Sequence, residues 1–224
     1  MRRRFQLAAV ALLMTAIPGV WAQMHLKRDK PPAEDLSWLW QYTQPAPTGN
    51  GSALFGDPRL KSLLEAHLHA PQTFWRKDRT LAEAVLEHLA QPRSVVGDNN
   101  RYIIVTGCAQ EFCPNRGLLW IDLGTPHPLV VFAATNWIAE NKATDQAGAT
   151  YTLWVFSSRT LDPTRLPRPL TRRIALWAVE PLTDGTIEQI ASVILVDPDG
   201  QPHQLLPADI GIDQFKPTEQ KAHS

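Results

Sequence analysis

Two cysteines, Cys108 and Cys113, lie with four residues between them in the stretch GCAQEFCPNRGLLWID (residues 107–122) of this 224-residue chain. Three chemistries use cysteines at short range: a redox centre, a metal clip, and a disulfide that closes a loop. A thioredoxin-like redox centre has two residues between its cysteines rather than four. A structural zinc site needs four ligands, and no second cysteine or Cys/His pair lies nearby in the sequence. A disulfide, Cys108–Cys113, is the simplest reading for an exported chain, and it would enclose Ala109, Gln110, Glu111 and Phe112. A ring this short removes about 2 kcal/mol of unfolded-state entropy in the chain-entropy model. Its larger effect is to hold four residues in one shape, which lowers the ordering cost of a contact. On residue chemistry alone the loop is either such a contact tip or a structural clamp with no partner.

Other groups with chemical potential do not converge. His67 and His69 are two apart in a helical pattern and point to different sides, so they cannot share one ion. His67 falls on the apolar stripe and reads as a core-edge residue. His88, His127 and His203 sit in separate elements without ligand spacing. The chain has no metalloprotease helix motif, nucleophile elbow or Walker loop, and GNGSALFG (49–56) lacks the spacing and preceding strand of a dinucleotide fingerprint. Glu111 with Asp122 is the one carboxylate pair to weigh as a hydrolase, yet Asp122 stands at a strand end, where turn capping is the common role. No metal, cofactor or catalytic residue is expected, and the chain is read as a non-enzyme. Eight tryptophans raise the question of a sugar-binding surface. Trp120, Trp137, Trp154 and Trp177 fall in or beside apolar runs that core packing explains, while Trp38, Trp40 and Trp75 are candidates for docking flanking segments onto the fold.

The elements around the loop follow from periodicity. DPRLKSLLEAHLHA (57–70) predicts a helix capped by Asp57 with Pro58 at its first position and Leu60, Leu63, Leu64 and Leu68 on one face. TLAEAVLEHLA (80–90) predicts a second, with Thr80 and Glu83 as a capping box. The period then changes to two. RSVV, RYIIVTG, GLLWIDL, PLVVFAA and TYTLWVFSS are short β-branched or aromatic runs parted by turn residues, which predicts an antiparallel meander of about five strands. Leu118 and Trp120 point to one face of their strand and Leu119 and Ile121 to the other, so both faces should be covered. Leu170, Ile174 and Trp177 return to helical spacing after Pro169, and Asp197-Pro198-Asp199-Gly200 predicts an extra C-terminal β-hairpin. The fold class expected is α+β: an antiparallel sheet backed by helices. In this organisation residues 1–22 are a signal peptide, 23–53 a proline-rich N-terminal segment, 54–215 a single domain and 216–224 a disordered tail.

Compartment is read from Arg2, Arg3 and Arg4 ahead of an apolar run from Leu7 to Val20 that closes on Val20-Trp21-Ala22, the pattern of a secretory signal peptide. Removing 22 residues from 224 leaves 202, with 19 basic side chains against 22 acidic ones. Basic residues are scattered rather than clustered in a stripe, which argues against a nucleic-acid partner. No later run approaches the length of a spanning helix, so no membrane insertion is expected.

The arrangement VTGC-xxxx-C-xxR-x-LLW over residues 105–120 resembles the inhibitor of vertebrate lysozyme family, periplasmic proteins of Gram-negative bacteria. The likeness is firmest over residues 93–134; upstream, a helix followed by APQTFW (70–75) is similar to the family's helix and Pro-Trp segment. The resemblance implies a sheet backed by helices, a periplasmic location, a homodimer, and a disulfide loop that enters the cleft of C-type lysozymes. It places Ala109, Gln110, Glu111 and Phe112 at the binding tip, in positions where the family's loop carries Lys, Pro, His and Asp.

Overall fold

A computed structural model describes residues 34–71, 79–110, 113–135, 150–182 and 184–215. The signal-peptide and tail assignments, with Glu111, Phe112, Trp75 and Trp137, lie outside these residues. The fold is α+β, built on one mixed sheet of seven strands in sequence order. Strands β1 (Gln91–Asp98), β2 (Tyr102–Cys108), β3 (Arg116–Asp122), β4 (Leu129–Thr135) and β5 (Thr150–Ser157) form the antiparallel meander. Two further strands, β6 (Gln189–Val196) and β7 (Pro202–Leu205), extend that same sheet.

Seven strands rather than about five is a correction to the expectation, and its cause is helical. The chain leaves β5, forms a helix over Arg168–Ala178, and returns, so β6 runs parallel to β5. A crossover of this kind is what a parallel pair requires. The last two strands therefore complete the sheet instead of standing apart from it.

Helices cover both faces. On one lie α1 (Gly51–Gly56), α2 (Pro58–His67) and α3 (Leu81–His88), together with a 3-10 helix over Ser37–Thr43. The α1 turn was not expected from TGNGS; Asn50 creates it by accepting from the Ala53 amide, while Asp57 and Thr80 cap α2 and α3 as their types dictate. The first core joins Leu39, Leu64 and Val85 of these helices to Val105, Leu119 and Phe132 of the sheet. Leu36 and Leu39, in the proline-rich segment, are buried in it. Opposite lies α4 (Arg168–Ala178), followed at the C-terminus by short 3-10 turns. Its Leu170, Ile174 and Trp177 pack on Ile104, Leu118, Trp120 and Val131. Every residue of β2, β3 and β4 is buried, because each of these strands has a covered surface on both sides.

Two of the candidate surface tryptophans have structural roles. Trp40 lies against Gly97, where a Cβ would come within 2.4 Å of the ring, and the Arg59 guanidinium stands 4.4 Å from the Trp38 ring centroid. At the far end of β2 the β1–β2 turn runs through Asn99 and Asn100, both with positive φ, and closes with the Arg101 amide donating to the Asp98 carbonyl. Asparagine tolerates the left-handed backbone that this turn requires at both positions.

Candidate functional site

The β2–β3 connection stands at the other end of the same strands. Cys108 is the last residue of β2 and is buried; Cys113 opens the return into β3, and a disulfide joins them with their Cα atoms 4.9 Å apart. Within the loop the Ala109 amide donates to the Asn115 carbonyl at 3.0 Å, and the Gln91 side-chain amide donates to the Gln110 carbonyl at 2.7 Å. Ala109 is half-buried and Gln110 exposed, so the chain emerges from the core over two residues. Glu111 and Phe112 follow, outside the described residues.

The strands beneath the loop are held against the α3–β1 junction by two facing glycines. Gly107 pairs with Gly117 across β2 and β3. A Cβ on Gly107 would meet the Gln91 carbonyl oxygen at 2.8 Å, and one on Gly117 would meet Leu89 and Phe132 side chains at 2.9 and 3.0 Å. At Gly107 the close neighbour is backbone, so only glycine allows the approach there, whereas at Gly117 a side chain would require Leu89 and Phe132 to shift.

Arg116, opposite Cys108 in the register, is the residue that sequence reasoning quoted without assigning a role. Its side chain is 1% exposed, as is that of Glu188, and both Nε and Nη2 donate to Glu188 Oε2 at 2.9 and 2.6 Å. The remaining donors end α4: Nη1 reaches the Glu180 carbonyl at 3.0 Å and the Trp177 carbonyl at 3.4 Å, and Nη2 the Ala178 carbonyl at 3.3 Å. A cation from another strand thus satisfies carbonyls that a helix C-terminus leaves open and sits at the negative end of its dipole. Burial pushes the Glu188 carboxyl above its ordinary range, opposed by the Arg116 charge and hydrogen bond and then by the Thr135 hydroxyl. A signal was available in sequence, since Arg116 shares the inward parity of Leu118 and Trp120.

The remaining candidates stay dispersed. Asp122 lies at the far end of β3 from the loop, and Arg101 binds it in bidentate fashion at 2.7 and 2.8 Å. The Gly124 amide completes the capping of Asp122. His67 pairs with Glu34 at 2.7 Å, and His203 with Asp197 at 3.0 Å. No group of three His, Cys, Asp or Glu side chains capable of holding a metal occurs among the described residues. No helix among them is long and apolar enough to cross a membrane. No family model matches the chain, and no curated protein or solved structure matches it either.

Two outcomes follow from these contacts. Glu188→Ala strips a buried guanidinium of its counter-charge and should cost about 3–5 kcal/mol in urea unfolding, whereas Arg116→Met with Glu188→Leu should cost less than the single change. His88, at the end of α3, is held down to a pKa of about 4, chiefly by burial, from an ordinary 6.5. Its folded pKa is depressed, so the unfolded chain takes up the proton first. The stability it contributes is present above pH 6.5 and lost as pH falls towards 4. Urea titrations across that window should show the wild type losing about 3 kcal/mol more than His88→Leu.

Proposed function

We propose that this chain is a binding protein of the lysozyme-inhibitor type, exported to the periplasm, that presents residues 109–112 to a protein target. The observation that carries the reading is the contrast between frame and tip. Around the tip, a disulfide joins the ends of two fully buried strands, and Gln91 and Asn115 fix its first residues by hydrogen bonds. Gln110, by contrast, faces solvent. A loop ordered before it meets a partner loses less entropy on binding than a free one, which is how a short segment makes a tight contact.

Glu111 and Phe112 supply the chemistry at the tip: one carboxylate and one aromatic ring, the second of a residue type enriched at interface centres. In a glycosidase cleft that already holds acidic groups, Glu111 has to bind protonated and act as a donor, and burial in the cleft would favour that form. The target class is therefore a lysozyme-like hydrolase or another envelope protein offering a complementary cleft. Homodimer formation belongs to the same reading, as an expectation of the resemblance.

A C-type lysozyme activity assay separates this reading from that of an accessory envelope protein whose loop is a clamp. The purified protein should reduce lysozyme turnover in a dose-dependent way, and Glu111→Ala with Phe112→Ala should weaken that inhibition at least tenfold. Full lysozyme activity at a large molar excess of the protein would defeat the inhibitor reading. Equal inhibition by the double variant would remove the tip from it.

A further inference from the structure

Helix α4 carries its charge at the wrong end. Arg168 is in the first turn and Arg172 and Arg173 follow in the next, while the first turn holds no acid and Pro167 caps without a side-chain hydrogen bond. Cations at a helix N-terminus oppose the macrodipole, and Arg168 and Arg172, four residues apart, repel one another. Arg59, Arg79, Arg101 and Arg116 each have a carboxylate partner. The three α4 arginines have none among the described residues, and Arg173 Nε is buried there without an acceptor. A helix that breaks local electrostatic rules with no compensating ion pair among the described residues is the kind of place where function is found.

The surroundings are concave. A cleft of about 420 Å³ lies between α4 and the β1–β2 turn, lined by all three arginines with Asp98 and Asn99. A second, of about 590 Å³, shares Arg168 and Arg172 and adds Thr171, Asp209, Gln214 and Phe215. Both volumes suit a small organic ligand. Across the two clefts the three guanidinium groups face two carboxylates, Asp98 and Asp209, neither in ion-pair contact with them, which leaves the region net positive. A guanidinium fork matches the oxygens of a phosphate in bidentate fashion, and three forks around one cleft can engage more of the terminal oxygens of a phosphomonoester than a carboxylate offers.

We propose that the N-terminal half of α4, with the Asn99 turn, is a binding site for a phosphomonoester group. It lies at the opposite end of β2 from the disulfide loop and does not depend on the inhibitor reading.

Isothermal titration calorimetry of the purified protein at low ionic strength tests it, with inorganic phosphate, glucose 6-phosphate, and phosphatidylglycerol vesicles in a phosphatidylcholine background as probes. The comparison is among wild type, Arg168→Gln with Arg172→Gln, and a control that loses equal charge elsewhere, Lys61→Gln with Arg79→Gln. Inorganic phosphate and glucose 6-phosphate should bind wild type and control alike, and the α4 variant at least tenfold more weakly. In anion-free buffer that variant should melt no lower than wild type, because the arginines it loses strain the helix rather than hold it. The proposal is overturned by absence of binding to either soluble probe, by equal affinity in the α4 variant, by binding to vesicles alone, or by a lower Tm of that variant without anion.

Discussion

A single buried guanidinium ties the two layers of this protein together. Arg116 belongs to β3, yet its donors are spent on the far side of the sheet, on Glu188 at the entrance to β6 and on the last carbonyls of α4. The Trp177 ring lies 5.1 Å from its Cζ, so the cation is enclosed by an aromatic face as well as by oxygens. A charge this deeply buried is tolerable only when its donors are satisfied, and that requirement fixes where α4 stops and where β6 starts. The parallel β5–β6 pair, which distinguishes this sheet from a plain meander, depends on that crossover returning to the right place.

The same residue defines the floor of the loop. Arg116 sits opposite Cys108, one step beyond the Gly107–Gly117 pair, so the disulfide rests on a platform clamped from both sides: by Leu89 and Gln91 through the glycines, and by α4 through Arg116. The entry to the loop, through Ala109 and Gln110, is therefore an extension of the core's geometry. Its first residues are bound by hydrogen bonds to the frame, and the Ala109 and Gln110 side chains form no part of either hydrophobic core. At the other end of the sheet the Asn99 turn and the arginine-rich start of α4 repeat the division in another form: a packed framework bearing guanidinium groups with no carboxylate partner among the described residues.

Periodicity made much of this legible. Helices α2 and α3 begin where Asp57 and Thr80 can cap them, and β1 to β5 fall on the five β-branched runs, because these signals are local and the structure leaves them intact. The alternation of Leu118 and Trp120 with Leu119 and Ile121 correctly implies two covered faces. What could not be read is long-range. Nothing near Gln189 announces a parallel partner, and the two final strands look like a separate hairpin until α4 is seen to carry the chain back to β5. Glu188 and Arg116 are 72 residues apart, so their pairing has no local trace. The short helix α1 is not legible in the sequence because its glycines suggest a turn, while a single Asn50 cap and tertiary packing of Leu54 override that tendency. For the site, the cysteines identified the loop at once, but the clamp beneath it became visible only in three dimensions.

In the proposed function the frame of the loop belongs to the fold and its tip to a partner. The most direct measurement is the unfolding free energy of Glu111→Ala with Phe112→Ala, compared with wild type under identical conditions with the disulfide intact. If the tip serves an outside partner, the two values agree within about 0.5 kcal/mol, as for surface changes away from structural features. A loss of about 2 kcal/mol or more, the scale of removing a buried aromatic side chain, would show that Phe112 packs into the protein's own core and would contradict the account.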